Sequence, residues 1–258
     1  MLHISRSGFR RKALPGHLIF TLFLLLSGLV SAQQLDMEML HGLKPRNIGP
    51  AGMSGRVTAI DVVLSNPDVI YLGSASGGLW KSTNAGDTWL PIFDDQETAS
   101  IGAVAINQQN PDVIWVGTGE GNPRNSANSG WGIYKSIDGG QTWQHLGLEM
   151  TRTIHRIVLH PDDPNVAIIG VTGSAWGDSA ERGVYKTTDG GNSWRKVLYV
   201  NERTGASDLV QDPNNPNKLI AGMWEHRRWP WFFKSGGAGS GIYLSYDAGE
   251  AWKRLGEK

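Results

Sequence analysis

Two glutamates stand at matching places in this 258-residue chain: Glu120 follows Gly117 by three residues, and Glu225 follows Gly222 by three. Paired carboxylates are what glycoside hydrolysis requires, one protonating the leaving oxygen and the other activating water or attacking the sugar carbon. Both belong to segments rich in groups that recognise rather than react. The first holds Glu120, Asn122, Arg124, Asn125, Asn128 and Trp131, and the second Trp176, Asp178, Glu181 and Arg182. The third is densest: Trp224, Glu225, His226, Arg227, Arg228, Trp229, Trp231, Phe232 and Phe233. Aromatic faces interleaved with guanidinium and carboxylate groups suit sugars, peptides or other planar groups. The competing reading is that these aromatics pack the segments down or fill an interface, and that the glutamates are polar residues on a solvated rim. Glu120 and Glu225 are therefore the catalytic candidates. The ligand-binding candidates are Arg124, Trp131, Trp176, Trp224, His226, Arg227, Arg228, Trp229 and Trp231.

Other chemistries find less support. The chain has no cysteine, so neither a disulfide nor a thiolate zinc site is available. Its seven histidines show no metal-ligand spacing on a helix, and its glycines fall in turns rather than in a phosphate-cradling loop. No metal and no cofactor is expected.

What positions these segments is a repeat. A box of the form Ser/Thr-x-Asp-x-Gly-x-Thr/Ser-Trp occurs in four copies. They run Ser82, Asn84, Gly86, Thr88, Trp89; Ser136, Asp138, Gly140, Thr142, Trp143; Thr187, Asp189, Gly191, Ser193, Trp194; and Ser245, Asp247, Gly249, Ala251, Trp252. The tryptophans recur at 54, 51 and 58 residues. A second landmark keeps step: an Asn/Asp-Pro turn and a short apolar run closed by Gly73, Gly117, Gly170 or Gly222. Each closing glycine marks a strand end or a crowded backbone. One repeat reads as four strands, in the first copy Val57–Leu64, Val69–Ser74, Gly78–Thr83 and Thr88–Ile92. No helical periodicity appears beyond the N-terminus. Four-stranded units of this length predict an all-β fold, a β-propeller with four-stranded antiparallel blades.

The box itself reads as a fastener. It falls on the hairpin between third and fourth strands, where Gly supplies positive φ and the Asp carboxylate collects turn N–H groups. The Trp then drops between neighbouring blades. Between the closing glycine and the box lie the variable lengths: 9, 19, 17 and 23 residues in the four copies. Insertions confined to one face of a repeat array mark a binding face. Arg56, His155, Arg156 and Asp208 fall near the starts of the innermost strands, as an anion-binding group or as ion pairs between blades.

The four boxes in register resemble the Asp-box (bacterial neuraminidase-type) repeat, and the chain is most similar to sortilin-like propellers and their bacterial relatives. Xyloglucanases and sialidases share the box. The resemblance covers about residues 44–258 and implies either a binding module for a peptide, protein or glycan, or a glycoside hydrolase. It implies for sialidases an Arg-Ile-Pro motif, where Lys44-Pro45-Arg46-Asn47-Ile48 interposes Asn47. It implies for xyloglucanases an Asp-x-Gly-Gly motif, where this chain has Ala75-Ser76-Gly77-Gly78. Alanine neither attacks nor transfers a proton. The resemblance also implies more blades than four, so the chain reads as an N-terminal fragment whose further blades lie beyond Lys258.

Residues 1–32 read as a secretory signal peptide: Arg6, Arg10, Arg11 and Lys12, then an apolar run over Leu18–Val30, then small residues before a cleavage after Ala32. The run is too short for a comfortable membrane span. Residues 33–54 form a lead-in that could supply a closing strand, and 55–258 the blades, divided at about 55–98, 99–150, 151–203 and 204–258. Cleavage leaves 20 basic residues against 24 acidic, which gives nucleic acid or an anionic membrane no electrostatic attraction. The expected location is secreted, periplasmic or at the cell surface.

Overall fold

The computed structural model describes residues 56–256, all within the compact unit Asn47–Lys258. The expected signal peptide, the expected lead-in and the Lys44–Ile48 stretch lie outside the described residues.

Four antiparallel sheets follow one another along the chain. The first is β1 (Val57–Val62), β2 (Ile70–Ser74), β3 (Leu79–Ser82) and β4 (Leu90–Pro91). The second is β5 (Ile101–Ile106), β6 (Ile114–Thr118), β7 (Ile133–Ser136) and β8 (Gln144–His145). The third is β9 (Ile154–Leu159), β10 (Ala167–Val171), β11 (Gly183–Thr187) and β12 (Arg195–Leu198). The fourth is β13 (Thr204–Asp212), β14 (Asn215–Trp229), β16 (Gly241–Ser245) and β17 (Lys253–Arg254), with β15 (Phe232–Ser235) added against β14. The first strands of successive sheets, β1, β5, β9 and β13, stand side by side. Each sheet is thus a propeller blade. Among the described residues the helical structure is one 3-10 turn at Glu149–Thr151.

Apolar side chains from facing blades fill the space between them. Phe93, Ile101, Val116 and Tyr134 join the first two blades, Trp115, Ile154 and Ile169 the next, and Ile168, Leu198, Ala206 and Met223 the last. Three box tryptophans, Trp143, Trp194 and Trp252, belong to these seams. Trp143 meets Phe93 edge-on with centroids 5.1 Å apart and donates from Nε1 to the Ile92 carbonyl at 2.7 Å. Trp194 meets Trp115 edge-on at 6.2 Å.

None of the closing glycines ends its strand, and two of them, Gly73 and Gly117, are crowded. A Cβ on Gly73 would sit 2.5 Å from Ile101 Cγ2, and one on Gly117 would sit 2.6 Å from Ile154 Cγ2, each belonging to the next blade's first strand. The strands run on past these positions, by seven residues in β14. The pairing of first and second strands slips at the same place in all four blades, leaving Thr58, Gly102, His155 and Ser207 unpaired. Such bulges re-aim side chains. Thr58 Oγ1 donates to Ile101 O at 2.7 Å and Ser207 Oγ to Gly222 O at 3.0 Å, while the His155 ring lies against the Gly121 backbone.

At the box end the four hairpins repeat one set of bonds. The first-position hydroxyl of Ser82, Ser136, Thr187 or Ser245 accepts the N–H of Gly86, Gly140, Gly191 or Gly249 at 2.9–3.0 Å. The Asn84, Asp138, Asp189 or Asp247 side chain accepts the N–H four residues on at 2.9 Å. The residue before each glycine also has positive φ and donates its N–H to the neighbouring turn, as in Gly139 N to Asp112 O at 3.0 Å and Ala248 N to Asn217 O at 2.9 Å. The two sequence landmarks are therefore bonded to each other. A lysine then ties each blade to the next: Lys81 to Gly139 O at 2.8 Å, Lys135 to Gly190 O at 3.2 Å and Lys186 to Ala248 O at 2.8 Å.

Candidate functional site

The inserts connect second to third strands, at the end of the blades opposite the boxes. The fourth insert, read from sequence as a loop, is a hairpin. Its strands pair His226 with Ser235, Arg227 with Lys234, Arg228 with Phe233 and Trp229 with Phe232, leaving Pro230 and Trp231 as a two-residue tip. Alternating aromatic and charged residues let one edge of β14 continue beyond the blade, and a short proline-bearing turn closes it.

One buried arginine organises the third insert. Arg182 is fully buried, and its guanidinium donates to Ser174 O at 2.6 Å, Arg203 O at 2.9 Å and Gly177 O at 3.1 Å. Carbonyl dipoles rather than a carboxylate compensate its charge, and burial lowers its pKa to about 10, which still leaves it protonated at neutral pH. Its Nη1 also lies 3.2 Å from His226 Nδ1. Arginine can only donate, so Nδ1 accepts and the His226 proton resides on Nε2. Burial and the nearby Arg182 charge hold the His226 pKa down at about 4. His226 is thus neutral, and its buried Nε2 has no partner among the described residues.

Arg228 laces three blades together. Its N–H donates to Ala175 O at 2.8 Å, its Nε to Pro123 O at 2.7 Å and its Nη1 to Asn125 Oδ1 at 2.7 Å. The second and fourth inserts therefore touch although their blades are not neighbours. Arg227 pairs with Asp178 at 3.2 Å and lies over the Trp229 ring at 5.3 Å. Trp224 stacks on His226 at 4.4 Å, which makes it part of the hairpin's own packing. Trp131 and Trp176 are exposed, as is Arg124, and Trp231 at the tip is 83% exposed.

The two glutamates are both committed. Glu120 is buried and takes a two-pronged contact from Arg56, Nε to Oε1 at 2.7 Å and Nη2 to Oε2 at 2.5 Å. Glu225 accepts from Lys234 Nζ at 2.8 Å and from Gly239 N at 3.0 Å, which together hold its pKa below the usual carboxylate range. Each oxygen of each carboxylate already has a donor. Arg156 pairs with Asp208 at 2.7 Å, so the inner-strand charges form separate ion pairs rather than an arginine cluster. Ala75 is buried, and its N–H donates to Arg56 O at 2.9 Å.

Two hollows open among the inserts. One lies between the second and third inserts, bounded by Gly121, Asn128, Gly173 and Trp176. The other, about 290 Å³, lies beneath the hairpin, between Asp178, Arg203, Arg227, Trp229 and Lys234. His226 borders both. Arg203 lies in no aromatic cluster and Lys234 directly follows Phe233, and neither was among the sequence candidates. Among the described residues no group of three or more His, Cys, Asp or Glu could hold a metal ion.

Radial four-stranded blades, boxed hairpins at one end and unequal inserts at the other define an Asp-box propeller. The chain belongs to the Sortilin-Vps10 family, whose model, described as "Sortilin, neurotensin receptor 3", matches residues 77–203 and 131–258. A xyloglucanase from Paenibacillus sp is 26% identical over 237 residues, covering 80% of this chain and 22% of that protein. Among solved structures, an ancestral GH74 enzyme has a TM-score of 0.60 at 22% identity, covering 79% of this chain and 24% of the other. The GH74 enzyme of Niastella koreensis has 0.57 at 22% identity, covering 76% and 29%. The GH74 xyloglucanase of Xanthomonas campestris has 0.55 at 18% identity, covering 78% and 30%. The chain thus spans less than a third of each, and at these identities the structures share its fold.

Proposed function

We propose that this chain is an exported propeller module that holds a peptide, protein or glycan ligand on its insert face and does not turn it over. The observation that carries this reading is the state of the two glutamates. A general acid must be free to carry a proton, and a base or nucleophile must face substrate. Glu120 and Glu225 instead each spend both oxygens on donors within the fold. Ala75, which stands where the xyloglucanase Asp-x-Gly-Gly motif has its nucleophilic or basic Asp, supports the same reading. Exposed Trp131, Trp176 and Trp231, with Arg227 over the Trp229 ring, give the face its recognition chemistry. The signal-like N-terminus, read with a cleavage after Ala32, supports export. Among the described residues no helix is long and apolar enough to cross a membrane.

The full-length protein, screened on a glycan array and a peptide array, should bind without releasing reducing ends. Trp229→Ala with Trp231→Ala should weaken that binding several-fold or more. Unchanged affinity would make the hairpin aromatics packing alone. The second reading, a glycoside hydrolase, is favoured by the similarity to the Paenibacillus xyloglucanase. Release activity abolished by Glu120→Gln or Glu225→Gln would establish it.

A further inference from the structure

The hollow beneath the hairpin holds more donors than its own acceptors can use. Both Glu225 oxygens are already engaged: Lys234 donates to one and Gly239 N to the other. Asp178 accepts from Arg227 Nη1 at 3.2 Å and is half exposed. Against these acceptors stand three unspent donors. The Arg203 side chain is exposed and makes no hydrogen bond among the described residues. Arg227 Nε is buried without a partner. His226 Nε2–H, on a residue only 1% exposed, is buried without one too. A buried donor left unpaired costs free energy, so the two buried ones, with the open Arg203 guanidinium beside them, call for an occupant rich in acceptors. The charges agree, since Arg203, Arg227 and Lys234 outnumber Asp178 and Glu225 by one.

The rest of the lining speaks for the shape of that occupant. Trp229 offers an aromatic wall, and Asp178 offers an exposed carboxylate able to accept from a hydroxyl. About 290 Å³ lies at the small end of ligand pockets, roughly 300–1,000 Å³, and suits one ring better than a folded chain. We propose that this hollow binds a sugar ring carrying a carboxylate, a hexuronate unit of an acidic glycan. Arg203 and Arg227 take the carboxylate, His226 Nε2–H donates to a ring or hydroxyl oxygen, and Asp178 receives a sugar hydroxyl. This deepens the binding-module reading and rests on it.

The test is calorimetric titration of the full-length protein with trigalacturonate, its methyl ester, and an acetylated tripeptide with a free or an amidated C-terminus. Trigalacturonate should bind, with the methyl ester and both peptides roughly tenfold or more weaker. Arg203→Gln should weaken trigalacturonate by a similar factor with the melting temperature unchanged. Its backbone carbonyl keeps the bonds from Arg182 and His226 N, so the substitution leaves the fold alone. Equal binding of the acid and its ester would overturn the proposal, as would preference for the free-acid peptide, an unaltered affinity in Arg203→Gln, or no binding of trigalacturonate at all. If the uronate fails while an array ligand still depends on Trp229 and Trp231, the hexuronate assignment falls and the binding module stands.

Discussion

The two ends of the blades are built on opposite plans. At the box end, four hairpins make the same hydroxyl-to-glycine and side-chain-to-turn bonds within a tenth of an ångström. At the insert end no two connections agree: a tight turn in the first blade, irregular loops in the next two, a paired hairpin in the fourth. Repetition at one end means that each blade meets the same neighbour in the same way. The other end is free of that constraint, and three buried donors stay unpaired there, Arg182 Nε, His226 Nε2 and Arg227 Nε, against Trp194 Nε1 among the boxes. The polar groups at the box end are mostly spent locally, whereas those at the insert end reach across blades, as Arg228 does to Pro123 and Asn125.

Arg182 is where this comparison breaks most easily. Replacing it with methionine keeps the apolar stem but strands the carbonyls of Ser174 and Gly177 and leaves Arg203 O with the His226 N–H alone. Each stranded group costs about 1–3 kcal/mol, so Arg182→Met should destabilise by about 3–5 kcal/mol in chemical denaturation. Amide exchange should rise first in 172–182 and 224–240 and leave the box hairpins protected. A loss below about 1 kcal/mol, or exchange that rises evenly everywhere, would deny Arg182 its organising role.

Acid separates the two ends by a different route. His226 is held at about 4 by burial and the Arg182 charge, against about 6.5 in the unfolded chain. His155 is lowered to about 4 as well, through burial and then Arg156. The folded state refuses protons that the unfolded state accepts. This stability is whole above about pH 6.5 and drains away as pH falls toward 4, by about 3 kcal/mol for His226. The box carboxylates respond lower. Bonds from Ser193 and Thr187 hold Asp189 at about 2, so its contribution is present above the ordinary carboxylate range and lost only as pH falls through about 2. Between pH 6.5 and 4, exchange corrected for its intrinsic rate should therefore increase around His226 and not around Asp189. Equal change at both ends would contradict the assignment.

The box end was largely legible in the sequence because a repeat reports itself. Strand order, the hairpin position of the boxes and the seam role of Trp143 and Trp194 follow from spacing and residue type. The lysine ties were there to be read as well, since Lys81, Lys135 and Lys186 each precede a box, and Leu244 takes that place in the fourth. Nothing local marked them, because their partner carbonyls lie 55–62 residues away. The insert end was legible only as composition. Residue types nominated Arg227, Arg228 and Trp229 but could not show that Glu120 had met Arg56, 64 residues away, or that Glu225 had met Lys234. Nor could they show that the fourth insert pairs with itself. Partnership across a repeat array depends on register, and register among unequal inserts is fixed only by the packing.

The smallest prediction bears on the claim that the four box turns are equivalent. The residue before the box glycine has positive φ in every copy: Ala85 at 55°, Gly139 at 70°, Gly190 at 74° and Ala248 at 59°. Alanine pays about 1 kcal/mol in that region, where a Cβ crowds the following carbonyl, and glycine does not. Glycine in turn loses about 0.4–1 kcal/mol through the greater freedom of its unfolded chain. Strain relief should win narrowly, so Ala248→Gly should raise the melting temperature by about 1–2 °C. The reverse change, Gly139→Ala, imposes the strain and also sets a Cβ 3.3 Å from both Asp112 Oδ1 and Lys81 Nζ. It should lower the melting temperature by more than the first change raises it, because the added methyl presses on the lysine tie as well as on the backbone. Shifts of the same sign would mean that the second and fourth turns are held by different forces, and that their shared bonding pattern is not what fixes them.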